Sequence, residues 1–245
     1  MGNGRSDFYF RNRRWFLLAL ALLVCAFLPF SHVSTGQRVA RILFRFDGGM
    51  SRGFWTRASY AVAAICVGLG AFWRTWGSAY LGANVVQDKR LHSERLVADG
   101  PFRRSRNPLY FGNLLIAVGL AIVINPFAGA VLTIGMWILV RLFIRDEEAG
   151  FERSQGDAYR AYRSALPCLV PSRRSRVPAL GARPLWVQGV CGEAWWWTFC
   201  VLTAGFAVTL NLQWYRTGLL WGVLISLLLA LWARRRSRQA GLRAV

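Results

Sequence analysis

Acidic residues are scarce in this 245-residue chain: 11 Asp and Glu stand against 31 Lys and Arg, a formal charge of +20, and Lys89 is the single lysine. Histidine is almost absent, and His32 and His92 lie far apart, which excludes a multi-histidine metal centre. The five cysteines (Cys25, Cys66, Cys168, Cys191 and Cys200) are odd in number and lack CxxC spacing, so neither a disulfide framework nor a zinc site is indicated. No GxGxxG follows a strand pattern, which leaves out a Rossmann-type cofactor domain. What the chain has in abundance is apolar: 55% of its residues are hydrophobic and 12 are Trp, a composition that points to a membrane protein. The arginines gather at the ends of apolar runs, in RNRRW, RRSRNP, SRRSR and ARRRSR. That placement fits cytoplasmic flanks under the positive-inside rule, and no nucleic-acid partner is expected.

Along the chain, residues 15–32 read as a signal peptide or a first span, and the length of the run and the lack of a clear small-x-small cleavage site favour an uncleaved helix. In QRVARILFRF, Val39, Ile42, Leu43 and Phe46 share one helical face and Arg38, Arg41 and Arg45 the other, as in a helix lying flat among headgroups. A second span is expected at 58–76. From Leu109 to Ile144 the chain is apolar for about 36 residues, roughly 54 Å as one helix against a hydrocarbon core of about 30 Å. It must fold back, and Asn125-Pro126 is the break, because proline cannot continue the hydrogen-bond ladder. Both ends of this hairpin then emerge on one side, the one with Arg103, Arg104, Arg106, Arg141 and Arg145. Two further spans are expected at 193–211 and 215–233, where EAWWWTF reads as an interfacial anchor or, alternatively, a lipid groove or dimer surface.

The expected fold is therefore all-α: a polytopic transmembrane bundle of about six spans with a helical-hairpin core. Its segments are an N-terminal span with an interfacial helix (1–57), a core (58–176) and a C-terminal helix pair (177–245). Both termini would face the cytoplasm, although the five arginines within 33–57 then fall on the outer side, against the charge rule.

Five of the acidic residues, Asp146, Glu147, Glu148, Glu152 and Asp157, fall within twelve positions after the hairpin. Carboxylates closing a helix would oppose its dipole, so either the helix runs on toward Gly156 or the acids face a cation. Pairing with nearby arginines is the plainer reading of Glu147-Glu148. The hairpin, however, brings RSRNPLY beside RLFIRDEE, and such a charged cluster at a bilayer surface is costly to keep without a role.

These segments fall into an ordered set of motifs: Arg74-Thr75-Trp76, Leu81-Gly82, Leu96-Val97, Gly100-Pro101-Phe102 and Arg106-Asn107-Pro108-Leu109-Tyr110-Phe111-Gly112. The hairpin follows, then Glu147-Glu148, Gly156-Asp157-Ala158-Tyr159-Arg160-Ala161-Tyr162, and Leu166-Pro167 through Pro171. In order and spacing, residues 65–171 resemble the integral-membrane methyltransferases that include isoprenylcysteine carboxyl methyltransferase and the bacterial phospholipid N-methyltransferases. The resemblance implies a site for S-adenosyl-L-methionine at the cytoplasmic surface of an inner membrane. Gln87, Glu94, Arg95, Leu96, Val97, Gly100, Phe102, Asn107, Pro108, Leu109, Tyr110, Glu147 and Glu148 would hold the cofactor. Arg106, Asn107, Tyr110 and Glu148 would act in catalysis, and Arg106 or Arg104 would meet the cofactor carboxylate. Arg141, Arg145 and Arg163 would serve the acceptor, a lipophilic molecule or lipid in a membrane with anionic headgroups.

Two positions depart from the family pattern: Asn107 replaces its histidine and Gln155 its phenylalanine. Asparagine cannot take up a proton near neutral pH, which tilts the acceptor from an amine toward a carboxylate or another anionic nucleophile. Prenylated cysteine, an aminophospholipid and an isoprenoid or quinone-like lipid stay open. Two alternatives also stand: an NADPH-dependent membrane sterol or isoprenoid reductase, which resembles the chain at Gly156 to Pro171 but lacks the Glu-Glu, and a lapsed scaffold of the same fold.

Overall fold

The computed structural model describes residues 8–47, 49–81 and 98–242, and they are mostly helical, with no strand among them. The helices are α1 (Phe8–Arg11), α2 (Arg13–Phe27), α3 (Thr35–Phe46), α4 (Arg52–Leu81), α5 (Pro108–Val123), α6 (Pro126–Ala165), α7 (Trp186–Gly192), α8 (Ala194–Thr209) and α9 (Leu212–Leu242). Among the described residues, four stretches are long and apolar enough to cross a bilayer: Arg13–Phe30, Arg52–Leu81, Pro126–Ala165 and Leu212–Ala233. Two shorter apolar helices, α5 and α8, accompany them, so the expected six spans are reached when these two are counted. Large apolar side chains such as Leu22, Ile65, Ile134, Val201 and Leu220 point outward, as the hydrocarbon of a membrane requires of an integral membrane protein.

The centre of the bundle is α4 against α5, and small residues set how closely they approach. A Cβ on Gly70 would stand 2.6 Å from the Gly112 carbonyl oxygen, and one on Gly119 2.7 Å from that of Ala63. Backbones this close gain dispersion contacts that bulkier residues would hold apart, the common way of joining helices where lipid offers no hydrophobic drive.

The hairpin turns where the sequence predicts. Asn125 caps α6 by accepting the Ala128 N–H at 3.0 Å, and Pro126 opens the helix, where its missing N–H has no partner to lose. The same Asn125 amide donates to the Phe27 and Leu28 carbonyls, at 3.0 and 2.8 Å. The end of α2 is thereby tied to the hairpin tip.

Helix α3 sits at this tip too. A full capping box joins Ser34 and Gln37, and the Thr35 N–H donates to the Ile124 carbonyl at 2.8 Å. Gly36 and Ala40 are buried against the bundle, leaving Arg38, Arg41 and Arg45 exposed with Val39, Ile42 and Phe46. The arginines of 33–57 therefore lie at the opposite end of the bundle from the one described next.

Beyond the hydrocarbon stretch α6 runs on past Glu147-Glu148 and is interrupted only at Gly156, whose φ of +53° is open to glycine alone without strain. This is one of the two outcomes the acidic cluster allowed.

Candidate active site

At the end of the bundle away from the hairpin tip, the segment 99–107 lies antiparallel to the chain that leaves α6. Arg106 N–H donates to Pro167, Ser172 N–H to Arg104 and Arg176 N–H to Arg103, at 3.1, 2.9 and 2.9 Å. Asp99 accepts the backbone N–H groups of Leu180, Gly181 and Ala182 at 2.8, 3.3 and 2.9 Å. Burial alone would raise the Asp99 carboxyl, but these three donors and nearby Arg103 together hold it below the usual carboxylate range. The tyrosines of Gly156 to Tyr162 support the segment from beneath. The Tyr162 hydroxyl donates to the Phe102 carbonyl at 2.7 Å, and Tyr159 stacks on Phe151 in a core with Ala98 and Leu166. Gly100, at φ +56°, lies under the Tyr80 ring, where a Cβ would come within 2.3 Å.

Asn107 occupies the N-cap position of α5 but makes no side-chain cap. Its amide instead donates to Glu148 Oε1 at 3.1 Å and to the Cys168 carbonyl at 3.0 Å. Both of its N–H groups thus hold the start of α5 to α6 and to the tail. Glu148 also pairs with Arg106, whose Nε lies 3.0 Å away in ion-pair range without the alignment of a hydrogen bond. Arg163 lies farther off at 3.8 Å.

Beside this knot is a cavity of about 360 Å³, within the size range of small-molecule sites. Phe102, Arg106, Asn107, Pro108, Leu109, Tyr110 and Glu147 line it, seven residues that the sequence had singled out. Glu147 and Glu148 separate here: the Glu147 carboxylate lines the cavity, hydrogen-bonded by Tyr110 and near Arg13, whereas Glu148 turns to Arg106, Asn107 and Arg163. Gly100 does not line it, and neither do the expected acceptor arginines. Arg141 is exposed over the Trp137 ring, Arg145 is exposed, and Arg163 pairs with Glu152 and Glu148. Arg104 is occupied by the Arg173 carbonyl and the Trp76 ring. Gln87, Glu94, Arg95, Leu96 and Val97 lie outside the described residues.

The cavity also has walls that sequence reasoning did not find. Arg13, Arg14 and Leu17 come from α2, Arg74 from α4, Asn113 from the second turn of α5, and Gly192 and Glu193 from the junction of α7 and α8. Glu193, 4% exposed, takes Arg74 in a two-pronged ion pair, Nε to Oε2 at 2.6 Å and Nη2 to Oε1 at 2.9 Å. Arg74 was noted only as part of a motif, and nothing in the local pattern around Glu193 links the two.

A donor set of this kind suits S-adenosyl-L-methionine. One apolar and aromatic wall could take a flat base, carboxylates could face a sulfonium and an ammonium, and guanidinium groups could face a carboxylate.

Comparison with known proteins agrees with the motifs. Residues 58–155 match the model of the phospholipid methyltransferase family. The protein-S-isoprenylcysteine O-methyltransferase of Schizosaccharomyces pombe is 26% identical over 164 residues, which cover 64% of this chain. The match spans 66% of that relative's own length, just under two thirds. No solved structure matches the chain. Over residues 58–155, then, the chain is similar to the phospholipid methyltransferase family, and over a longer stretch to an isoprenylcysteine O-methyltransferase.

Proposed function

We propose that this protein is an S-adenosyl-L-methionine-dependent methyltransferase acting on a lipophilic acceptor at the cytoplasmic face of a bacterial inner membrane. The observation that carries the reading is the cavity itself. Motif residues scattered from Phe102 to Glu147 converge on one partly apolar, partly charged hollow at the polar end of the helical hairpin.

When bound, the cofactor supplies a methyl group activated by a positive sulfonium. The chain's own residues bind, orient and exclude water. Glu147, with its hydrogen bond from Tyr110, offers negative charge to the cationic part of the ligand. Phe102 and Leu109 supply apolar surface. Arg106, Asn107 and Glu148 act as one unit that fixes the start of α5, so that Tyr110 and Pro108 keep their places in the wall. Methyl transfer to an anionic oxygen needs alignment and dryness more than a proton acceptor, which suits an asparagine at 107. A carboxylate acceptor, such as that of a prenylated cysteine, is therefore favoured over a lipid amine headgroup. Arg141, Arg145 and Arg163, at the same end of the bundle, are available to anionic headgroups around the entrance rather than to the reacting group.

The test is methyl transfer from tritiated S-adenosyl-L-methionine by the protein in nanodiscs, offered an S-farnesyl cysteine carboxylate and, separately, phosphatidylethanolamine. Label that enters the organic phase and is released by base marks a methyl ester and supports the carboxylate reading. Base-stable label in the phospholipid would move the acceptor to an amine, and no transfer to either would contradict the assignment.

A further inference from the structure

The C-terminal helix pair lies outside the family-matched residues 58–155, yet it reaches the cavity through a single buried carboxylate. Glu193 is the N-cap residue just before α8, and a carboxylate there ordinarily caps the free N–H groups of its own helix. It makes no such cap. Its oxygens accept from Arg74 twice and from the Ser78 hydroxyl at 2.8 Å. A third helix enters through Asn113, whose side-chain oxygen accepts from Arg74 Nη1.

This arrangement leaves specific capacity. Of the five N–H groups of a guanidinium, Arg74 uses one on Nε, one on Nη2 and one on Nη1, so each terminal nitrogen retains a hydrogen. Glu193 has accepted three hydrogen bonds of the roughly four a carboxylate can take. Both residues line the cavity. The pair is close to neutral as a whole but presents both signs side by side. An isolated anion would gain little from that wall, whereas a group carrying an ammonium and a carboxylate on neighbouring atoms matches it in both sign and spacing. The other arginine proposed for a ligand carboxylate, Arg106, is already drawn to Glu148 and to the Arg163 carbonyl.

We propose that Arg74 and Glu193 together form the receptor for the α-amino-acid end of the bound nucleoside, so that the C-terminal helix pair completes the cofactor site. The proposal rests on the methyltransferase reading and assigns it a residue outside the family core. Arg74 takes the carboxylate, and Glu193 holds Arg74 in the wall while facing the ammonium.

Two nucleosides separate this role from a structural one. S-adenosylhomocysteine carries the amino-acid tail, and methylthioadenosine shares the adenosine and sulfur but lacks it. Affinities for both are measured by calorimetry on the full chain in nanodiscs, for the wild type, Arg74→Lys, Glu193→Gln and Trp197→Phe. Arg74→Lys keeps a charge opposite Glu193 and so guards against simple unfolding. Trp197→Phe removes a nearby tie between α8 and α4, the indole N–H to Thr75 Oγ1 at 2.9 Å, without touching the cavity.

The expected result is that S-adenosylhomocysteine loses at least about tenfold in affinity in the Arg74 and Glu193 variants, methylthioadenosine keeps its affinity, and Trp197→Phe changes neither. Equal losses for both nucleosides, or no loss for either, would overturn the proposal and leave the pair a structural tie. A wild type that binds neither nucleoside would instead remove the methyltransferase reading, and this proposal with it.

Discussion

The separation of two adjacent carboxylates is the sharpest consequence of this structure, and Glu148→Gln against Glu147→Gln tests it. Glu148 is 12% exposed and faces Arg106, itself 11% exposed, at 3.0 Å. Removing one partner of a buried pair costs about 3–5 kcal/mol, because the other charge is left uncompensated. Two features reduce that figure. Arg106 keeps its bond to the Arg163 carbonyl at 2.8 Å, and glutamine retains an oxygen for the Asn107 amide. Arg163, 49% exposed at 3.8 Å, adds little. A loss of about 2–3 kcal/mol is expected, which for a chain of this size lowers Tm by roughly 4–12 °C. Thermal unfolding in mild detergent, followed by tryptophan fluorescence, reads that shift, and calorimetry well below Tm reads S-adenosyl-L-methionine binding. Glu148→Gln should melt early yet keep most of its affinity, whereas Glu147→Gln should melt nearer the wild type and bind at least about tenfold more weakly. The reverse pattern, with Glu148→Gln stable but unable to bind, would refute the assignment of Glu147 to the cavity and Glu148 to the scaffold.

Gly112→Ala should destabilise by about 1–3 kcal/mol, since its Cβ would lie 2.7 Å from both the Gly70 carbonyl oxygen and Arg74 Cγ; an unchanged Tm would deny the close helix crossing. Asp99→Asn should lower Tm at neutral pH by weakening the clamp on residues 180–182. Because the folded-state carboxyl lies below its ordinary value, its contribution is complete above about pH 4 and is lost as the pH falls through the folded value. The gap in Tm between wild type and Asp99→Asn should thus be flat from pH 8 to 5 and narrow in stronger acid; a gap that widens in acid would contradict the depressed value.

The hairpin and its far end were legible because the signals are local. Asn125-Pro126 had to break an apolar run too long for one crossing, and Gly156 is where α6 is interrupted, at a positive φ that glycine adopts without strain. The amphipathic pattern of α3 was equally plain, but which end of the bundle it occupies depends on Thr35 meeting Ile124, a contact between residues 89 positions apart. The site was half legible for the same reason. Motif spacing collected Phe102, Arg106 to Tyr110 and Glu147, since they flank the hairpin. It gave both Glu147 and Glu148 to the cofactor and Glu148 to catalysis, because the directions of the two, only about 100° apart on a helix, are settled by where Arg106 and Tyr110 pack. Nor could it find Arg13, Arg14 or Glu193, which arrive from helices whose own patterns say only that they are apolar. Arg141 and Arg145 were assigned to the site because they close the hairpin in sequence, and the turn of α6 carries them to its exposed face.

Calorimetric titration of the full-length protein with S-adenosyl-L-methionine, in nanodiscs that preserve the fold, tests the central claim most directly. Micromolar binding in the wild type that is lost in Glu147→Gln is the result expected. A folded wild type that binds no S-adenosyl-L-methionine at millimolar concentration would contradict the account.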